Sequence, residues 1–331
     1  MGDPASLASG SAAFVRDVVS AYRPVLLRGA VADWPALAKG QGPVAVANYL
    51  ASLANGGPVE TFTGRPEIKG RFFYDAGMRG LNFERRQETL KGFLGRLLGL
   101  MDVADPPSVY LGAASVNDRL PGFSAQNRMP LVDPSVEARL WVGNAVTVST
   151  HYDLSDNIAC VVAGKRRFTL FPPEQLGNLY VGPLDFTLAG QPVSMVDLKA
   201  PDLERFPRFA DALKTAQVFD LEPGDALYIP PLWWHHVESL TPFNVLVNYW
   251  WNASGAPPSA FEALIHAVMT VRPLPGPQRE AWRNIFEHYV FERDGDPVPH
   301  LPVESRGVLG PMTPSLAQRI SSFLMNGLRR G

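Results

Sequence analysis
Between residues 108 and about 251 the chain is a run of short β-branched and aromatic segments broken by Gly and Pro, a pattern few folds accommodate. Segments 109–113, 139–148, 158–162, 167–171, 217–220, 226–229, 234–240 and 245–250 read as strands. Many short strands with no long helices between them predict a sandwich or barrel, not a doubly wound parallel sheet. The flanks differ. Segments 11–22, 44–53 and 89–101 are predicted helical from apolar residues near a 3.6 period, with 25–29, 59–63 and 71–74 as strands and 33–37 as a turn into a short helix. After Gly255-Ala256-Pro257-Pro258 the chain reads as helices over 260–271, 277–291 and 314–329. The predicted organisation is therefore flanking helices and strands over 1–107, a β core over 108–252 and a helical region over 253–331.

Composition narrows the function classes. The 331 residues carry 30 Lys and Arg against 32 Asp and Glu, so no basic excess drives generic nucleic-acid binding. The lone cysteine, Cys160, excludes an internal disulfide framework and a thiolate zinc cluster, and is read as an inert buried thiol. No apolar run approaches the roughly 20 residues of a membrane span, and Met1 to Gly10 lacks the basic and apolar blocks of a secretory signal. Met1-Gly2-Asp3-Pro4-Ala5-Ser6 fits a loose myristoylation pattern that the acidic residue and proline argue against. A cytoplasmic protein is expected.

Three motifs carry chemistry. In His151-Tyr152-Asp153, residues two apart on a strand share a face, so His151 and Asp153 can chelate a divalent metal while Tyr152 points away. In the segment from Gly224 to Leu240, a strand after Trp234 carries His235 and His236. Glu238 suits the outward face and Val237 the inward one, which nominates His235 as the inward histidine. Together these are two histidines and one carboxylate, the facial triad of non-haem Fe(II) oxygenases. In Gly164-Lys165-Arg166-Arg167-Phe168-Thr169-Leu170, the phase of Lys165, Arg167 and Thr169 is polar, and that of Arg166, Phe168 and Leu170 is otherwise apolar. An inward arginine needs an anion, and its planar fork suits a carboxylate. A slip of one residue in register would make Lys165 the candidate instead.

These motifs, with Arg71-Phe72-Phe73-Tyr74-Asp75 and Asp202-Leu203-Glu204-Arg205-Phe206-Pro207, resemble the cupin-8 or JmjC-like branch of the 2-oxoglutarate oxygenases, the family containing the asparaginyl hydroxylase called factor inhibiting HIF. The resemblance runs over nearly the whole chain. It implies a mainly β fold, a double-stranded β-helix (cupin or jelly-roll) with flanking helices and a C-terminal helical dimerisation element. It implies Fe(II), 2-oxoglutarate and O2, with His151, Asp153 and His235 as catalytic iron ligands. It further implies Tyr110, Asn157, Arg166 and Asn248 around 2-oxoglutarate, with Trp250 packing nearby. The family usually has lysine where this chain has Arg166, and often a threonine where it has Val148; Thr147 or Thr150 are the candidate substitutes. The stretch 183–197, where the asparaginyl hydroxylase grips its peptide, does not match beyond Val196-Asp197.

The expected activity is hydroxylation of a protein or peptide side chain with release of succinate and CO2. The alternatives are an RNA-base or small-molecule hydroxylase or demethylase of the same family, or a metal-binding cupin that does not use 2-oxoglutarate. His266, His288 and His300 are read as surface or packing residues, Asp156 as a solvated loop carboxylate, and Trp233, Trp234, Trp250 and Trp251 as divided between core and substrate groove. Leu316, Ile320, Phe323, Leu324 and Leu328 form an apolar stripe at helical spacing that is expected to bury in a homodimer.

Overall fold
The computed structural model describes residues 11–39, 41–252 and 260–329, so the Met1–Ser6 pattern and the Gly255–Pro258 turn lie outside the described residues. Thirteen strands are present among them. Those before the core are β1 (Val25–Leu27), β2 (Pro58–Gly64), β3 (Arg71–Phe72), β4 (Phe83–Thr89) and β5 (Ser108–Ser115). The core strands are β6 (Ala138–Gly143), β7 (Thr147–His151), β8 (Asp156–Ala163), β9 (Arg166–Phe171), β10 (Gln217–Leu221), β11 (Ala226–Ile229), β12 (Trp234–Ser239) and β13 (Asn244–Trp251).

They form two sheets, in the orders β1-β11-β8-β13-β6-β5-β2-β4 and β10-β9-β12-β7-β3, antiparallel throughout except for the β3–β7 pair. The eight strands β6–β13 wind between the two sheets, β6, β8, β11 and β13 in the larger, and β7, β9, β10 and β12 in the smaller. That winding is a double-stranded β-helix.

Burial follows from this winding. Strand β8 is buried along its whole length, as a strand covered on both faces must be. Its Ile158, Cys160 and Val162 pack outward with Phe14, Leu50, Phe93 and Leu97 of the helical layer. Its Ala159 and Val161 face inward with Phe168, Leu170, Leu227 and Val237. On the outer face of the smaller sheet, Phe171 and Trp234 pack with Phe209 and Val196. The turn that carries the chain from β8 in the larger sheet to β9 in the smaller falls at Gly164, whose φ is +76° and where a Cβ would stand 2.5 Å from the Phe243 carbonyl oxygen. Only glycine meets both conditions without strain.

Several readings need correction. The segment 139–148 is two strands, not one. Asn144 ends β6 by accepting from the Val109 N–H and donating to the Pro107 carbonyl, and the chain then crosses to the other sheet. Residues 83–89, a polar stretch without apolar alternation, form β4 on the edge of the larger sheet. Residues 11–19 are helical, but the π geometry over Val15–Val19 departs from a regular α-helix. Asp156 is buried and accepts from the Tyr228 hydroxyl at 2.7 Å.

The chain divides into two compact units, Met1–Ala256 and Pro257–Gly331. The second holds the helices Ala260–Thr270, Gly276–Tyr289 and Pro314–Leu328, the last capped by Thr313 accepting from the Leu316 N–H. His266, His288 and His300 are exposed. Among the described residues no helix is long and apolar enough to cross a membrane.

Candidate functional site
His151 is the last residue of β7 and pairs directly with His235 of β12. Between His235 and Val237 the register shifts, because Val237 faces Val148, one residue further back on β7 than regular pairing allows. This bulge puts Val148 and His151, three apart, on the same inward face. Asp153 is not on the strand, as the two-residue spacing suggested; the strand has ended, and the loop is held by the Leu232 N–H donating to the Asp153 carbonyl at 2.8 Å. Tyr152 points away as expected, edge-on to Trp234.

The donor atoms of His151, Asp153 and His235 lie within 4.8 Å of one another. In each histidine Nδ1 faces a backbone carbonyl oxygen, of Ser149 at 2.8 Å and of Trp233 at 3.0 Å. A carbonyl can only accept, so Nδ1 carries the proton and Nε2 presents a lone pair. Burial, and next the neighbouring His151, hold His235 down to about 4, so it stays neutral as a ligand must. Asp153 Oδ2 accepts from the Trp250 indole at 3.2 Å and lies 3.5 Å from the Asn157 amide. Two imidazoles presenting Nε2 and a carboxylate converging on one point suit a divalent transition metal.

His236 takes the other phase. Its Nδ1 meets the Thr150 hydroxyl at 3.2 Å, and burial, then Lys199, push it down to about 3. Lys165 and Arg167 also point outward, paired with Glu222 and Asp220. Arg166 instead is 2% exposed, with Nε and Nη2 buried and unpartnered among the described residues. Tyr110 accepts a hydrogen bond from its guanidinium; burial pulls Arg166 below the usual guanidinium range and Tyr110 opposes this. Tyr110 sits this close because Gly143 lies beneath it, where a Cβ would come within 2.7 Å of the ring.

The triad and Arg166 line one pocket of about 430 Å³, which Tyr110, Val148, Asn157, Asn248 and Trp250 also line. Asn248 donates to Asn157 at 3.0 Å and accepts from Trp141 at 2.6 Å, so the two asparagines brace each other across the floor. Thr147 and Thr150 are absent from this pocket; Val148 itself faces it. Among the four tryptophans only Trp250 lines it, while Trp233, Trp234 and Trp251 pack in or against the apolar clusters.

Beyond the triad the space widens into a chamber of about 780 Å³. Phe62, Phe72 and Phe83 line it, packed edge to face at 5.2–6.4 Å, with Trp141, Leu188, Gln191 and Val193. Sequence reasoning missed this wall. Its residues come from β2, β3, β4, β6 and the 183–197 stretch, and the one available signal was the aromatic run at 72–74.

Residues 11–256 match the family model described as Cupin-like domain. The chain is 30% identical over 241 residues to Jumonji C domain-containing protein 5 of Drosophila melanogaster, covering 70% of this chain and 55% of that protein. It is 37% identical over 115 residues to Lysine-specific demethylase JMJ31 of Arabidopsis thaliana, covering 34% and 20%. It is 40% identical over 102 residues to tRNA wybutosine-synthesizing protein 5 of Danio rerio, covering 31% and 28%. The chain thus spans about half the length of these relatives, or less. With a matching family model over most of its length, an unbroken β-helix and a His-Asp-His cluster at its mouth, this chain belongs to the cupin-like, JmjC-type domain family.

Proposed function
We propose that the protein is an Fe(II)- and 2-oxoglutarate-dependent oxygenase that hydroxylates a protein or peptide side chain. The observation that carries the reading is Arg166. A buried guanidinium with two unpartnered nitrogens, facing a metal-ligand triad across one pocket, is costly unless a carboxylate completes it. A cupin that used metal alone would leave that charge without a purpose. Two relatives are named for action on lysine and on tRNA. An RNA base or a small molecule is therefore the competing substrate, and an N-methyl substrate would be demethylated through its hydroxylated methyl.

His151, Asp153 and His235 would hold ferrous iron, which would supply the activation of O2 needed to oxidise a C–H bond, with 2-oxoglutarate as the co-reactant that leaves as succinate and CO2. The chain does the rest. Trp250 and Asn157 orient the Asp153 carboxylate, and the Ser149 and Trp233 carbonyls hold the two imidazoles in the metal-binding tautomer. Arg166 and Tyr110 hold the far carboxylate of 2-oxoglutarate, and the apolar walls exclude water. The proposal also sets the protein in the cytoplasm and makes it a homodimer through the C-terminal helices, where Phe323, Leu324 and Leu328 are 77%, 48% and 56% exposed.

Anaerobic crystals soaked with Mn(II) and 2-oxoglutarate test the reading. Density is expected for a metal at the triad and for a dicarboxylate ending on Arg166. A metal without the dicarboxylate leaves the 2-oxoglutarate-independent cupin, and a metal elsewhere ends both.

A further inference from the structure
The wide chamber next to the triad has a chemical character that says what it admits. Its far wall is three edge-to-face phenylalanines, Phe62, Phe72 and Phe83, closed by Leu188 and Val193. Among the described residues, the one carboxylate on its lining is Asp153, which is committed to Trp250 and the triad. The roof is fixed: the Leu188 carbonyl accepts from Arg85 at 3.0 Å, and the Phe186 carbonyl from Tyr74 at 2.6 Å. Arg85 in turn stacks its guanidinium 5.5 Å from the Phe62 ring. A cation, itself paired with Glu60 at 3.7 Å, therefore already occupies that ring.

We infer that the reacting group of the substrate is an uncharged apolar side chain or ring, not an ammonium or guanidinium. The inference rests on the oxygenase reading, because the charges at the loaded centre enter it. A dication, the Asp153 carboxylate, the two carboxylates of 2-oxoglutarate and Arg166 cancel. With both histidines neutral, no net negative charge remains to attract a cation. An ammonium entering the chamber would lose its water and find no free carboxylate to pair with, only the neutral Thr147, Ser149 and Gln191 side chains. An apolar group would lose only unfavourable hydration and gain contact with three aromatic faces. The chamber selects by refusing charge, in contrast to what the name of the lysine-specific demethylase relative says of that protein's substrate.

The test is binding to the full chain loaded with Mn(II) and 2-oxoglutarate, using benzyl alcohol and benzylammonium, which share a ring and differ in charge. Paramagnetic relaxation of the probe protons by Mn(II) reports entry. Benzyl alcohol is expected to be relaxed and displaceable, with benzylammonium at least about tenfold weaker. Equal or tighter binding of benzylammonium overturns the inference, as does the absence of relaxation for both. Phe83→Glu, at the half-buried rim, should cut the ratio by about tenfold in favour of the cation; an unchanged ratio means the probes sit elsewhere. If that variant does not fold, the wild-type ratio still decides. The protons of 2-oxoglutarate serve as the internal reference. If they are not relaxed, the oxygenase reading has failed; if they are relaxed and the probe preference is reversed, this inference alone has failed.

Discussion
Replacing His235 by alanine removes one of three converging donor atoms, whereas replacing His236 removes a buried residue that touches Thr150. His235→Ala is therefore expected to lose metal in calorimetric titration and all iron-dependent turnover, and His236→Ala to retain the metal. The reverse result would mean the strand phase is misassigned. Arg166→Ala deletes a charge-assisted contact worth about 1.5–3 kcal/mol, so the dissociation constant of 2-oxoglutarate should rise roughly ten- to a hundredfold. An unchanged constant removes Arg166 from the site. The histidines also make stability pH-dependent. An unfolded imidazole titrates near 6.5, but burial and then His151 hold His235 to about 4, and burial and then Lys199 hold His236 to about 3. Over that interval the unfolded chain binds more protons than the folded one. Stability is complete above 6.5 and is lost as pH falls through the folded values. The melting temperature of the metal-free protein should fall steadily over this range, and a flat profile would contradict the buried, neutral histidines.

At the scale of elements, the site depends on where strands end. Gly143 and Asn144 close β6, the bulge in β7 aligns Val148 with His151, and the turn from β8 to β9 starts Arg166 in its inward phase. That crossing turns at Gly164, so Gly164→Ala introduces both a positive-φ alanine and a clash with the Phe243 carbonyl. A loss of about 1–3 kcal/mol is expected in denaturant unfolding; a neutral effect would show that the turn relaxes freely. The strand phases that place His235 and Arg166 were legible because each strand has one apolar and one polar face. The break at Asn144 was passed over, although Gly143-Asn144 is a turn signal inside 139–148, because what fixes it is a side chain capping a neighbouring strand. Strand β4 was illegible for the opposite reason: as an edge it needs no buried face.

For the whole molecule, the apolar stripe of the last helix sets the expected state. Leu316 is buried, but Phe323 is 77% exposed, and a contiguous apolar surface of this kind marks an interaction site. Light scattering at micromolar concentration should give about twice the 36.2 kDa chain mass. A mass near 36.2 kDa would remove the dimer. Truncation after Pro311 should lower solubility or activity if the stripe is the interface.

The sequence by itself determined a sandwich or barrel of short strands, the three metal-ligand candidates and Arg166 as the inward cation unless the register slips to Lys165, while the β-helix came with the family resemblance. These depend on alternation and short spacing, which are properties of neighbouring residues. Only the tertiary structure decided that Asp153 acts from a loop, that Val148 shares a face with His151, and that phenylalanines from three separate strands, 62, 72 and 83, form one wall. Each of these depends on a register shift or on contacts between segments far apart in the chain. No local pattern encodes such distances; they are set when two sheets close over a common interior.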